Sequence, residues 1–107
     1  MDLSARLTWL QSDGTITYGP VRMEPGPPGT SHKTPHGTFH VEWKAGPDFV
    51  STEYREPMPY AVFFAPGGIA FHGGSLNQAS HGCVHLDLGS ARFYNEHLPV
   101  GAEVVVF

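Results

Sequence analysis

One cysteine, six basic residues and no apolar run near the roughly 18 residues of a membrane span leave few classes open to this chain. A single cysteine excludes an internal disulfide, so any staple must come from packing. Six lysines and arginines against ten acidic residues give a formal charge of −4. The basic residues form no cluster, which argues against a nucleic-acid partner. Helix-permissive stretches are scarce, because thirteen glycines and ten prolines punctuate the chain. Short strands joined by tight turns are therefore expected. The opening Met1-Asp2-Leu3-Ser4-Ala5-Arg6 is not a basic region followed by an apolar run, so no signal peptide is expected in this stretch. Either a cytoplasmic protein or a mature or excised domain fits that reading.

The 107 residues suffice for one domain, spanning 1–107, with a single core. Arg6 to Gln11 alternates with a period of two and predicts a half-buried strand. Ser12-Asp13-Gly14-Thr15 predicts a turn, and Ile16 to Met23 the returning strand of a hairpin. The proline-rich segment 24–33 predicts a surface loop. Thr38 to Trp43 predicts one strand with Phe39, Val41 and Trp43 on one face, and Trp9 and Trp43 in the core. Tyr60 to Ala65 and Ile69 to Gly73 flank Pro66-Gly67-Gly68 and predict two neighbouring buried strands. Ser90 predicts the N-cap of the one convincing helix, whose stripe is Ala91, Phe93, Tyr94, His97 and Leu98. His97 is expected to offset the helix C-terminal dipole. His32, His36 and His40 are expected to face solvent. Glu103 to Phe107 predicts a closing buried strand. The expected fold is mainly β with one short α-helix.

The chemistry is concentrated in a 14-residue stretch from His72 to His85, which holds the only thiol and three of the seven histidines. Phe71-His72-Gly73-Gly74 precedes Ser80-His81-Gly82-Cys83-Val84-His85-Leu86. A thiol near an imidazole that can take its proton is a minimal apparatus for covalent acyl transfer. Gly82 would let the backbone approach a substrate and offer the N–H groups of Gly82 and Cys83 to an oxyanion. If 81–85 is extended, His81, Cys83 and His85 share one face. Two other readings of the same residues stay open. His72, His81, Cys83 and His85 are four ligands that suit zinc, and an isolated cysteine is commonly a small buried hydrophobe.

These residues resemble the signature of the bacterial L,D-transpeptidase catalytic domain, in which a histidine precedes a [Ser/Thr]-His-Gly-Cys turn. Thr34-Pro35-His36-Gly37-Thr38-Phe39 is similar to that family's Thr-Pro-x-Gly-x-Phe entry to a strand, and Met58-Pro59-Tyr60 to the entry before the histidine. The resemblance implies a mixed β-sandwich or barrel of the L,D-transpeptidase type. It implies that Cys83 attacks a peptidoglycan stem peptide, with His72 as base and the Gly73 carbonyl orienting it. His81 and Gly82 would line the oxyanion site, and Ser80, His85 and Tyr60 would face the substrate. Tyr60 reads equally well as an aromatic at a strand edge. D-Alanine would leave, and a second stem amine (3→3 cross-linking) or water (carboxypeptidation) would take the acyl group. The resemblance further implies no cofactor or metal, carbapenem sensitivity, a role in cell-wall biogenesis and cell shape, an extracytoplasmic location and a monomer. A catalytically silent wall-binding module is the remaining alternative. The chain departs from the family pattern at His85, where Arg or Asn is usual, and in the seven-residue loop between His72 and Ser80, which is short.

Overall fold

The computed structural model describes residues 1–52 and 55–107, and its strands follow the turn chemistry closely. β1 (Leu7–Ser12) and β2 (Thr15–Arg22) form the expected antiparallel hairpin. Asp13 and Gly14 have φ of 51° and 78°, the left-handed pair whose twist matches the flanking strands. Register shifts on either side of Leu10 break the strict alternation. The buried residue of β1 is Thr8, whose Oγ1 accepts a 3.0 Å hydrogen bond from the Tyr94 hydroxyl; Trp9 is only half-buried.

The predicted strand over 38–43 divides into two. β3 (Gly37–His40) pairs with β10 (Glu103–Val106), while β4 (Trp43–Lys44) joins a different sheet. The change happens where the Val41 N–H donates to Ala102 and the Glu42 N–H to Phe63. Trp43 consequently leaves the core and is 46% exposed. β10 alternates, with Val104 and Val106 inward and Val105 outward, so it is half-buried rather than the expected buried strand. β5 (Val50–Ser51) and β6 (Glu56–Pro57) make a small surface pair.

The central sheet has the order β4-β7-β8-β9, with β7 (Val62–Ala65), β8 (Ile69–Gly73) and β9 (Val84–Leu86) buried throughout. β7 and β8 are the neighbouring buried strands that the sequence predicts, antiparallel across Pro66-Gly67-Gly68. β9 then returns parallel to β8, which sets His72 opposite His85. None of the four sheets closes into a barrel.

The helix α1 (Leu88–His97) starts three residues earlier than predicted. Asp87 is the N-cap, its carboxylate accepting from the Ser90 N–H at 2.9 Å and the Ser90 hydroxyl at 2.7 Å. Both residue types cap well, and the extended backbone of Asp87 decides between them. The helix lays Ala91 and Tyr94 on the core of Met23, Val62, Phe64, Phe71, Val84 and Leu86. Phe71 sits between Phe64 and Tyr94, at ring separations of 4.8 and 5.2 Å. Each such fully buried aromatic or aliphatic side chain stabilises by about 1.5–3 kcal/mol. No helix among the described residues is long and apolar enough to cross a membrane.

Candidate active site

His72 lies near the end of β8 and is 1% exposed. Its Nδ1 is 2.8 Å from the Gly73 carbonyl oxygen. A carbonyl only accepts, so Nδ1 carries the proton and Nε2 keeps its lone pair. That Nε2 is buried and has no hydrogen-bond partner among the described residues. Leaving such an atom unmatched costs about 1–3 kcal/mol, so a fold that keeps one points to chemistry there. Burial, first of all, pushes the His72 pKa below the ordinary histidine value, against the pull of the Gly73 carbonyl. His85 lowers it further and Glu56 raises it. The ring is thus held neutral, with one basic nitrogen facing inward.

Cys83 sits in the turn before β9 and is 6% exposed, in a small cluster with Met58, Ala61, Phe63 and Ala70. Ala70 and His72 are alternate residues of β8 and share a face of the sheet. The thiol is therefore on the imidazole's side. Its sulfur lies 3.4 Å from the Gly68 carbonyl oxygen, and no hydrogen bond joins it to either His72 nitrogen.

The turn itself is tightly bonded. The Ser80 hydroxyl donates a short bond to the Cys83 carbonyl and accepts from the Gly82 N–H at 3.1 Å. Thr34, buried and 48 residues away in sequence, donates from Oγ1 to the Gly82 carbonyl at 2.7 Å. The same Oγ1 accepts from the Gly26 N–H at 2.9 Å. The Thr34-Pro35-His36-Gly37 piece thus buttresses the Ser80–Cys83 turn. Gly82 has φ of 121°, and a β-carbon there would lie 2.8 Å from Ile69 Cδ1.

Several expectations are corrected by the observed turn. Residues 81–83 bend instead of extending, because Gly82 takes a conformation closed to other residues. His81 is exposed, with its ring edge-on to His32 at 5.0 Å, so the one-faced trio of His81, Cys83 and His85 does not form. The Gly82 N–H, expected to serve an oxyanion, is donated to Ser80 Oγ. The Ser80 hydroxyl is likewise committed inside the turn. The four-residue zinc set is not assembled either: His72 and His85 come together, but without His81 or Cys83.

His85 is buried beside His72, ring centres 4.8 Å apart, with Nδ1 2.8 Å from the Ser75 carbonyl oxygen. Glu56, from β6, completes a group with these two; one ligand atom from each lies within 4.8 Å of the others. Nothing in the sequence marks Glu56, which stands in a polar, proline-flanked connection. Tyr60 is half-buried against the core and does not line the cleft described next.

A cleft of about 290 Å³ is lined in part by Trp43, Phe49, Met58, Phe63, Gly67 and Gly68. Trp43 stacks flat on Phe63 at 4.2 Å, and Phe49 meets both rings edge-on. Met58 and Phe63 also belong to the Cys83 cluster, and Gly68 supplies the carbonyl near its sulfur. The cleft therefore shares Met58, Phe63 and Gly68 with the surroundings of the thiol, while Cys83 itself is not part of its lining. A larger hollow of about 680 Å³, between the hairpin, α1 and β10, contains none of the candidate residues.

Fold and site define a class of small β domains that set one cysteine beside a buried histidine. The chain belongs to the L,D-transpeptidase catalytic domain family (YkuD), whose profile matches residues 1–106. It is 32% identical over 89 residues to YciB of Bacillus subtilis, a candidate L,D-transpeptidase, covering 68% of this chain and 46% of that protein. An L,D-transpeptidase from Stackebrandtia nassauensis superposes with a TM-score of 0.88 at 28% identity, over 99% of this chain and 52% of that one. An L,D-transpeptidase solved with imipenem, LdtMt1, gives 0.86 at 26% identity, over 99% and 56%. The chain thus spans about half the length of these relatives.

Proposed function

We propose that this chain carries out cysteine acyl transfer on peptidoglycan stem peptides, with Cys83 as nucleophile and His72 as base. The observation that carries this reading is His72: buried, neutral, fixed through Nδ1 and unpartnered at Nε2 on the face of the sheet that holds Cys83. Turning the thiol away from the Gly68 carbonyl toward Nε2 is the motion the reaction requires. Nε2 then takes the sulfur proton, and the thiolate forms a bond to the carbonyl carbon of the third stem residue. Of the two turn N–H groups expected at the resulting oxyanion, that of Gly82 is engaged with Ser80 Oγ. As the tetrahedral species collapses, the C–N bond to D-alanine breaks. The protonated His72 gives its proton to the leaving amine, and a thioester remains. A side-chain amine of a second stem attacks the thioester, loses its proton to Nε2 and releases the thiolate, giving a 3→3 link. Such a substrate lies outside the cytoplasmic membrane, and that is where this reading puts the domain.

The aromatic cleft is the natural seat for the donor stem, because Met58, Phe63 and Gly68 of its lining also neighbour Cys83. Mass spectrometry after exposure to imipenem tests the nucleophile. An adduct on the unsubstituted chain that vanishes in Cys83→Ala is the expected result. A folded chain that takes up no adduct and releases no D-alanine from a tetrapeptide stem would overturn the proposal; tetrapeptide binding without turnover would favour a wall-binding module. Water in place of the amine, seen as tripeptide without cross-link, would reassign the acceptor only.

A further inference from the structure

We propose that Glu56, His72 and His85 form a divalent-metal site of two imidazoles and one carboxylate, suited to zinc, whose occupation takes His72 out of the acyl-transfer reaction. Metal binding stands on the geometry alone; the inhibitory half rests on the base role proposed above.

The three residues offer one ligand atom each within a mutual 4.8 Å. The parallel register of β8 and β9 sets the histidines opposite each other, so the fold itself fixes their spacing. Their tautomers are also fixed. Each Nδ1 lies 2.8 Å from a backbone carbonyl oxygen, of Gly73 for His72 and of Ser75 for His85. Both Nδ1 atoms therefore donate, and both Nε2 atoms carry a lone pair. A ligating histidine needs this outer arrangement, with one nitrogen anchored and the other open to metal. On His72 the open nitrogen is buried and without a hydrogen-bond partner among the described residues. The His85 ring cannot slide away, since it packs on Gly74, where a β-carbon would stand 2.9 Å from it.

The donor set selects the metal. Two imidazoles and a carboxylate suit zinc and its transition-metal neighbours over magnesium or calcium, which prefer oxygen alone. Zinc bonds of about 2.0–2.2 Å place tetrahedral ligand atoms about 3.3–3.6 Å apart, so a triangle within 4.8 Å must close by up to roughly 1.5 Å. Glu56 is half-buried on the small β5–β6 surface pair and is the ligand able to move. Three protein ligands leave a fourth position for water. With zinc on Nε2 of His72, the lone pair that would deprotonate Cys83 is occupied.

The test is zinc titration of the Cys83→Ala chain against a chromophoric chelator, with circular-dichroism melts to verify folding. One equivalent should bind, and Glu56→Gln or His85→Gln in the same background should weaken it at least about tenfold. No binding, or binding unchanged in both variants, overturns the site. Should either variant unfold, zinc X-ray absorption on the unsubstituted chain decides. Nitrogen and oxygen scatterers at about 2.0–2.1 Å support the site, and a sulfur shell at about 2.3 Å overturns it. The inhibitory half is read from imipenem acylation of the unsubstituted chain, expected to fall with zinc occupancy and return with EDTA. Acylation unaffected by bound zinc removes that half and leaves the site. A metal-stripped chain that is never acylated speaks against the Cys83–His72 reading, with the zinc titration judged on its own.

Discussion

The Ser80–Cys83 turn and the His72 corner are neighbours on one sheet, yet they are bonded to very different degrees. In the turn, the Ser80 hydroxyl, the Gly82 N–H and carbonyl, the Thr34 hydroxyl and the Gly26 N–H all find partners within the protein. At the corner, His72 Nε2 has none among the described residues, while a carboxylate and a second imidazole crowd close to it. A fully bonded segment is a frame; a buried atom held without a partner is a reactant in waiting. The division assigns Thr34, Ser80 and Gly82 to holding Cys83 in place, and leaves His72 for proton transfer.

The largest effects should fall on chemistry without falling on stability. Cys83→Ala should abolish the imipenem adduct, and His72→Gln should slow its formation by about 10²–10⁴-fold, with melting temperatures close to that of the parent. Thr34→Val should do the reverse. It strands the Gly26 N–H and the Gly82 carbonyl, at about 1–3 kcal/mol each, so thermal melts should show a loss of about 2–6 kcal/mol. The acylation rate of the folded fraction should fall by far less than in His72→Gln. A Thr34→Val chain with an unaltered melt and no acylation would break the division, since the frame would then be acting in the reaction.

The frame and the reactant were not equally visible in the sequence. His72, Gly73 and Cys83 announce themselves, because a histidine, its following carbonyl and a Ser-His-Gly-Cys turn are local features. The Asp13-Gly14 hairpin and the two strands around Pro66-Gly67-Gly68 are legible for the same reason. What escapes is whatever depends on distant partners. Val41 leaves β3 because Ala102 and Phe63 take up the backbone on either side of the break. Thr34 reaches Gly82 across 48 residues. Glu56 meets His72 and His85 only through the β5–β6 pair. The exposed Trp43 belongs here too: alternation gives it a face, but only the change of sheet turns that face into a cleft wall.

The smallest effect concerns protons, and it separates the two segments most cleanly. His72 is held below the ordinary histidine value of 6.5, chiefly by burial. Between that value and its lowered one, the unfolded chain binds a proton that the folded chain refuses. Stability is therefore intact above about pH 6.5 and falls as the pH drops through this window. The carboxylates Asp2 and Asp87 are also lowered, but from 3.8, so their losses come at more acidic pH and do not overlap. Melting curves from pH 7.5 down to about 5, in metal-stripped buffer, should fall more steeply for the parent than for His72→Gln. Thr34→Val should lower the whole curve and keep the parent's slope, because its hydroxyl does not titrate. If His72→Gln keeps the parent's slope, burial of the imidazole is not what opposes its charging. The corner would then be as fully compensated as the turn, and the case for His72 Nε2 as the reactive atom would lose its energetic support.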